Sequence, residues 1–455
     1  MFEIAFPGNY SLNLIWLADV SAASAVTYHV LLKRSDVRAA AGWIGLAWLS
    51  PFIGSGLYFV LGINRIARRG TRMSRAINQE GNEPQVAEGE FGADLLAGNR
   101  VWLLRDGAQT YAEMISAIDG ARSSVALSSY IFRADGVGLG FIDALERAKS
   151  RGVVTRVLVD GIGSGYFHSG VIRHLRNRGI TAARFLHSWL PWRASFLNLR
   201  NHKKLLVVDG AIGFTGGRNI GDENLASSPA RTLVNDVHFR IEGPVVRDLL
   251  RSFAGDWTFT TGETLGGAQW WPELNPVGSV RARGISSGPD EDIENLVLVL
   301  ASAISRARER IRIVTPYFLP DEMLSLLISV ARKRGVRLEI IVPQRSDHLI
   351  AQWAVCSQLG FMVPGCQIYL SREPFDHSKL VTIDGAWALV GSANWDVRSL
   401  RLNFEFNVEC VDEQLTAQLD GFIDETIARS RLYEDMRPTV VKLRDAAARL
   451  LLPYL

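Results

Sequence analysis

A histidine and a lysine two residues apart, with an aspartate behind them, occur twice in this chain at one spacing. The first copy is Asn201-His202-Lys203-Lys204-Leu205-Leu206-Val207-Val208-Asp209, followed by Gly216-Gly217-Arg218-Asn219. The second is Asp376-His377-Ser378-Lys379-Leu380-Val381-Thr382-Ile383-Asp384, followed by Gly391-Ser392-Ala393-Asn394. Each fits His-x-Lys, four residues, Asp, six residues, Gly-Gly/Ser-x-Asn. A lone His-x-Lys carries no information; two copies that agree at every fixed position do. Side chains alternate faces along a strand, so each copy presents one imidazole and one ammonium side by side. Two such units facing each other surround a phosphate with His202, His377, Lys204, Lys379, Asn219 and Asn394. Ammonium and amide donors suit phosphoryl oxygens. One histidine can attack phosphorus while the other protonates the leaving oxygen.

The elements that position these residues follow from the pattern around them. The residues after each lysine are apolar and largely β-branched, which predicts a buried strand. Upstream, both halves repeat one order. In the first, Ala121 to Phe132 reads as a helix end and a strand. A helix ending at Lys149-Ser150-Arg151-Gly152 and a strand from Val153 to Asp160 follow. In the second, the matching pieces are Ala307 to Phe318, a helix ending at Lys333-Arg334-Gly335, and a strand from Val336 to Val342. Strand–helix–strand order predicts α/β units with mixed sheets. The turn-rich stretch Gly262 to Pro276 marks the boundary. The expected organisation is 1–75 as an N-terminal membrane segment of one or two helices, 76–95 as a linker, and two halves at 96–270 and 271–455.

The 455 residues carry a net charge of only +3, too mild to argue for nucleic acid. Three cysteines (Cys356, Cys366 and Cys410) have no metal-like spacing and offer no disulfide framework, so they read as small buried apolar residues. Twelve tryptophans favour interfaces and membrane boundaries.

Ala39 to Asn64 is uncharged and long enough to cross a hydrocarbon core, with Pro51 as a kink near its middle. Leu12 to Leu32 is apolar but contains Asp19 and His29; it is a spanning helix, a tilted one or one lying in the interface. Arg65, Arg68, Arg69, Arg72 and Arg75 follow without an acid among them, which places the main domain on the cytoplasmic side. The apolar stretch Phe185 to Leu199, with two tryptophans, reads as a membrane-contacting or acyl-lining element, the alternative being a core segment under a long loop. Val440 to Leu452 has apolar residues at helical spacing and reads as a docking helix.

Taken with the phrases around them, these residues resemble the phospholipase D superfamily. Those phrases include Tyr130-Ile131-Phe132, Phe214-Thr215-Gly216-Gly217-Arg218-Asn219, Thr315-Pro316-Tyr317-Phe318 and Asn394-Trp395-Asp396-Val397-Arg398-Ser399. Leu402-Asn403-Phe404-Glu405 completes the set. Within the superfamily the chain is similar to the bacterial cardiolipin synthases, and the resemblance covers nearly everything after residue 95. It implies two duplicated phospholipase D-like α/β halves with mixed sheets sharing one active site, preceded by N-terminal membrane helices. The activity it implies is phosphatidyl transfer between two phosphatidylglycerols with release of glycerol. The alternative is hydrolysis or another alcohol acceptor.

The resemblance assigns His202 as nucleophile, His377 as acid and base, and Lys204, Lys379, Asn219 and Asn394 to the phosphoryl oxygens. It implies a carboxylate behind each imidazole: Glu405 for the second half and Asp236 for the first. Asp209 and Asp384 belong to the motif and so to the candidate catalytic set, although the far end of the strand suits a structural role. Ser392 stands where the first copy has Gly217, so one side lacks a hydroxyl donor to the phosphate. No cofactor or metal is implied. The expected partners are phosphatidylglycerol and a membrane, with no nucleic acid, and the expected location is the bacterial inner membrane. A soluble nuclease would not need the apolar N-terminus, and a silent scaffold would not keep both motifs intact.

Overall fold

The computed structural model describes residues 9–33, 37–59, 94–187, 199–228, 233–289, 294–362 and 365–450. The arginine cluster at 65–75, the linker 76–92 and most of the tryptophan-rich stretch (188–198) lie outside the described residues. Two compact units divide between Arg69 and Gly70.

In the first unit α1 spans Asn9–Lys33, α2 Val37–Leu49 and α3 Pro51–Leu57. The uncharged stretch expected as one segment is broken at Ser50 (φ −148°, ψ 78°), because Pro51 lacks an N–H and takes the first helical position. Among the described residues no helix is long and apolar enough to cross a membrane. Ala23, Val26, Val30, Ala47 and Tyr58 form the small core between the three helices. His29 Nδ1 lies 2.7 Å from Tyr58 Oη and Trp48 Nε1 donates to Thr27 Oγ1 at 3.0 Å, so polar groups are met between helices. Trp16, Leu17, Leu31, Leu32, Leu49, Phe52 and Ile53 are exposed.

The second unit is built on duplicated strands. The first half supplies β1 (Leu96–Leu104), β2 (Ser124–Ser129), β3 (Val154–Asp160), β4 (Ala182–Phe185), β5 (Leu205–Val208), β6 (Ile212–Gly216), β7 (Val234–Asn235) and β8 (His238–Glu242). The second supplies β9 (Val280–Ser287), β10 (Arg310–Val314), β11 (Phe318–Leu319), β12 (Arg337–Pro343), β13 (Gln367–Ser371) and β14 (Phe375–Asp376). It continues with β15 (Leu380–Ile383), β16 (Trp387–Gly391), β17 (Trp395–Asp396), β18 (Glu405–Val411) and β19 (Arg431–Leu432). Fifteen strands form one mixed sheet in the order β4-β3-β2-β5-β6-β8-β1-β9-β18-β16-β15-β10-β12-β13-β19. Either side of the central β1–β9 pair the order repeats in mirror sequence, so within this sheet the halves join through one antiparallel pair.

Both halves pack alike. In the first, Val125, Leu127, Val157, Val159, Leu206, Val208 and Phe214 lie against Tyr111, Ile118, Phe141 and Leu145. In the second, Ile311, Ile313, Leu338, Ile340, Val381 and Ile383 lie against Leu300, Ile304, Leu324 and Ile328. The other face of the first half's sheet carries the helix Val246–Thr261. A Cβ on Gly213 would meet Leu249 of that helix at 2.7 Å. The helices Gly136–Ser150 and Glu322–Lys333 both end on a left-handed glycine, Gly152 (φ 90°) and Gly335 (φ 93°). Their N–H groups return to Lys149 O and Arg332 O, a glycine C-terminus that turns the chain into β3 and β12. The C-terminal helix Thr439–Arg449 docks on the helix Leu349–Met362, but not through Val440 or Leu443. Val440 and Leu443 are exposed; Asp445 and Ala448 are buried, and Arg444 stacks 4.3 Å from Trp353.

Candidate active site

Each histidine enters the site just before a buried strand, as the alternation predicts. His202 and Lys204 precede β5 on one face; the residues between them turn away. Lys203 is buried in an ion pair with Asp256 at 3.0 Å, and Asp256 also accepts from Asn201 Nδ2 at 2.9 Å. His377 and Lys379 precede β15 in the same way. The two imidazoles meet: their ring centroids are 6.4 Å apart with planes at 82°. One site is therefore shared by the two halves.

The carboxylates are exchanged between the halves. Glu405 Oε2 lies 2.9 Å from His202 Nδ1, and Asp236 Oδ2 lies 2.7 Å from His377 Nδ1. The expectation that each half supplies its own carboxylate is corrected by this geometry. Its cause is backbone pairing across the seam. His202 N–H donates to Phe404 O at 2.8 Å, and Phe404 N–H donates to Arg200 O at 2.9 Å. β14 runs parallel to β7, with His377 N–H donating to Asn235 O at 2.7 Å. The residue after each of these partners is the carboxylate that reaches the opposite histidine.

His202 Nδ1 also lies 3.1 Å from Ser392 O. Two acceptors at one nitrogen assign the proton to Nδ1 and leave Nε2 with its lone pair. Burial pushes the His202 imidazolium down to about 4, against the pull of Glu405, so the ring is neutral near pH 7. Burial also lowers the His377 imidazolium, helped by the Lys379 charge and opposed by Asp236. Burial works to raise Asp236 and Glu405. The Lys379 charge and the His377 hydrogen bond nevertheless hold Asp236 below the carboxylate range, and His202 does the same for Glu405.

The lysines are buried beside them. Lys204 Nζ donates to His202 O at 2.7 Å and lies 5.3 Å from the Tyr130 ring centre. Lys379 Nζ donates to His377 O and stands 2.8 Å from His377 Nδ1. Burial brings Lys204 down to about 7 and Lys379 to about 8. The Lys379 charge adds to the lowering of Lys204, so the pair forms a cationic centre that an anion would relieve.

Asn219 and Asn394 occupy equivalent places, each just before a parallel bridge, Phe132–Ile220 and Phe318–Trp395. Asn219 Oδ1 accepts from Ile131 N–H at 3.3 Å, whereas Asn394 Oδ1 is buried without a partner. Ser392 is fully buried and its hydroxyl donates to Glu405 Oε2 at 2.6 Å, so it supports a carboxylate. At the equivalent Gly217 a Cβ would lie 2.4 Å from Asp236 Oδ1. Gly217→Ala is therefore expected to displace Asp236 and slow turnover about 10²-fold with the fold retained, as rate and circular dichroism measured together would show.

Asp209 and Asp384 do not join the histidines. Asp209 accepts the N–H groups of Arg122, Ser123 and Ser124 at the start of β2. Asp384 accepts those of Arg308, Glu309 and Arg310 at the start of β10. Both sit at positive φ, 52° and 51°, a conformation aspartate tolerates better than most residues.

Sequence reasoning missed three residues near the site. Tyr130 packs edge-on to His202, with centroids 5.0 Å apart. Arg218, inside the motif at its variable position, donates from Nη2 to Asp236 O. His238 is buried with neither ring nitrogen partnered, and burial pushes it down to about 3. It faces Gly216 across β6 and β8, as Asn407 faces Gly391 in the second half.

Unfolded, both His202 and His238 titrate near 6.5. As pH falls below that value the unfolded chain takes up protons that the folded chain refuses until about 4 or lower, so stability falls. The urea midpoint is expected to drop between pH 7 and pH 5, and His238→Asn to make the drop shallower. An unchanged slope in that variant would contradict the assignment.

Residues 114–257 and 300–427 match the family described as cardiolipin synthase, PLD-like domain. The chain is 30% identical to the major cardiolipin synthase ClsA of Bacillus subtilis (strain 168), with 98% of each chain covered. It is 29% identical to a cardiolipin synthase of Oceanobacillus iheyensis, again over 98% of both. Among solved structures, the phosphatidylserine synthase of Haemophilus influenzae Rd KW20 shares the fold. The TM-score is 0.63 at 16% identity, covering 85% of this chain and all of that one. With the matched regions containing both His-x-Lys stretches, this chain belongs to the cardiolipin synthase family with its phospholipase D-like domains.

Proposed function

We propose that this protein is a phosphatidyltransferase that joins two phosphatidylglycerols into cardiolipin and releases glycerol. The observation that carries the reading is the pair of imidazoles 6.4 Å apart, each with Nδ1 on a carboxylate from the opposite half. His202 Nε2, neutral near pH 7, attacks the phosphorus of the donor. The bond from phosphorus to the glycerol headgroup oxygen breaks, and His377 gives that oxygen its proton. Anionic Asp236 stabilises the imidazolium that His377 must be at this step. Lys204, Lys379, Asn219 and Asn394 hold the phosphoryl oxygens as charge builds. The acceptor's hydroxyl then loses its proton to His377, attacks the same phosphorus and frees His202. Asp209 and Asp384 hold the strands that carry the motif, and Ser392 keeps Glu405 in place.

The site is expected to work at a bacterial inner membrane with the second unit on the cytoplasmic side. The exposed apolar faces of α1, α2 and α3 support membrane contact, since a soluble surface rarely presents so many adjacent apolar side chains. The uncompensated arginines 65–75 support the orientation. Purified protein with labelled phosphatidylglycerol in micelles tests the reaction. Cardiolipin and free glycerol are expected; phosphatidic acid alone would replace transfer with hydrolysis.

A further inference from the structure

Strand direction fixes what surrounds the histidine pair. β5 starts where β2 ends, with Leu205 beside Ser128, and β15 starts where β10 ends, with Leu380 beside Val314. β3 and β12 run parallel to β2 and β10. The histidines therefore lie at the C-terminal ends of these strands, the usual place for a ligand in an α/β sheet. The loop after β3 (161–169) and the loop after β12 (344–348) form the rim around them. Each loop is tied to its histidine. Asp160 accepts from the N–H groups of Ile162 and Gly163 and from that of Asn201, the residue before His202, each at 2.8 Å. A Cβ on Gly163 would meet the Tyr130 ring at 2.8 Å, and Tyr130 stands edge-on to His202. On the other side Phe375 lies 5.8 Å from His377 and 6.5 Å from Tyr317, whose hydroxyl donates to Asp347.

Both sides of this rim carry apolar side chains that face solvent. Phe167 is 67% exposed, and Leu349 and Ile350, directly after the second loop, are 66% and 42% exposed. The ties that hold the loops are made by Asp160, Gly163 and Asp347, so packing does not call for these three side chains at the edge of the site. The first-half rim is also basic. From 161 to 208 the chain has no Asp or Glu and eight Lys or Arg, whereas the matching stretch 344–383 balances three acids with three bases. Lys203 and Lys204 belong to the site, Arg178 pairs with Asp143, and Arg184 donates to Gly161 O and Tyr166 O within the loop. Arg173 and Arg176 are exposed on the helix Gly170–Asn177, which follows Phe167.

We propose that this rim is a docking surface for an anionic phospholipid bilayer. Phe167 on one side of the histidine pair, and Leu349 with Ile350 on the other, insert among the lipid chains, while the basic flank of Phe167 meets the headgroups. The inference rests on the phosphatidyl-transfer reading above. A phospholipid withdrawn from the bilayer would expose the methylenes of both acyl chains to water. The buried histidines meet a headgroup phosphate without that cost only if the protein around them enters the interface. Apolar side chains that insert and cations that face anionic headgroups are the two contributions that hold a protein there. An aromatic ring such as Phe167 and branched aliphatic side chains such as Leu349 and Ile350 supply the first, and Arg173 and Arg176 the second. A substrate dissolved singly in water gains nothing from either.

Two measurements on the full chain with phosphatidylglycerol vesicles test the surface. A photoreactive benzophenone side chain at position 167 or 349 is expected to label lipid acyl chains about tenfold more than one at position 122, an exposed place at the opposite end of β2. Equal labelling at the three positions, or none at 167 or 349, would overturn the surface. Phe167→Ser and the double variant Leu349→Ser/Ile350→Ser are each expected to lower cardiolipin formation from vesicles about tenfold, with a loss of less than about twofold on dispersed short-chain phosphatidylglycerol. Retained activity on the dispersed lipid reports that the variants are folded. Equal losses on the two substrates, or no loss on vesicles, would overturn the surface as well. Labelling at 167 and 349 by a wild-type background that forms no cardiolipin would support the surface and defeat the transfer reading instead.

Discussion

Replacing either His202 or His377 by alanine is expected to lower cardiolipin formation by about 10⁴-fold or more, the scale on which loss of one member of a nucleophile–acid unit acts. The size of the effect follows from the geometry. The imidazoles are the pair of ring nitrogen systems that meet at the shared site, and the neighbouring lysines are turned onto backbone carbonyls. Without His202 no covalent intermediate forms. Without His377 the glycerol oxygen leaves as an alkoxide and the acceptor hydroxyl keeps its proton. Initial rates by lipid analysis, with circular dichroism to confirm folding, check this. More than about one per cent residual activity in either variant would contradict the pairing.

The exchanged carboxylates give the second large effect, expected at about 10²–10⁴-fold for Glu405→Gln and for Asp236→Asn. An amide can present its NH₂ to Nδ1, which then becomes the acceptor and moves the imidazole proton to Nε2. For His202 that tautomer cannot attack phosphorus. For His377 the neutral amide no longer stabilises an imidazolium, so its acid role fails. The two variants therefore slow different steps. Glu405→Gln, through His202, is expected to suppress formation of the phosphoenzyme. Asp236→Asn, through His377, is expected to slow its resolution by alcohol more than its formation with an activated leaving group. Rapid-quench measurement of phosphoenzyme separates them. If the effects came out the other way round, each carboxylate would serve the histidine of its own half, against the distances of 2.9 and 2.7 Å.

Much of this was legible in the chain because duplication was. The two Lys-Arg-Gly-like helix ends, at Gly152 and Gly335, announce a helix stop by composition alone, and the β-branched run after each lysine announces its strand. The period of two placed His202 with Lys204 and turned Lys203 away toward Asp256. The exchange of carboxylates was not legible. It depends on Asn235 pairing with His377 and Arg200 with Phe404, contacts between residues more than a hundred positions apart that leave no local pattern. Ser392 misled for a related reason: a hydroxyl beside a phosphate-binding loop reads as a donor to phosphate until Glu405 is found 2.6 Å away. The break at Ser50 was foreshadowed by Pro51, but composition alone could not say that the kink would end one helix and begin another.

The most direct measurement is to quench the His377→Ala protein after brief exposure to a phosphatidyl donor with an activated leaving group, whose departure needs no acid, and to map the phosphorylated peptide by mass spectrometry. The account predicts a phosphatidyl group on His202, stable to base and labile to acid, and none in the His202→Ala protein. A trapped group that survives His202→Ala, or one found on His377 in wild-type protein, would contradict it.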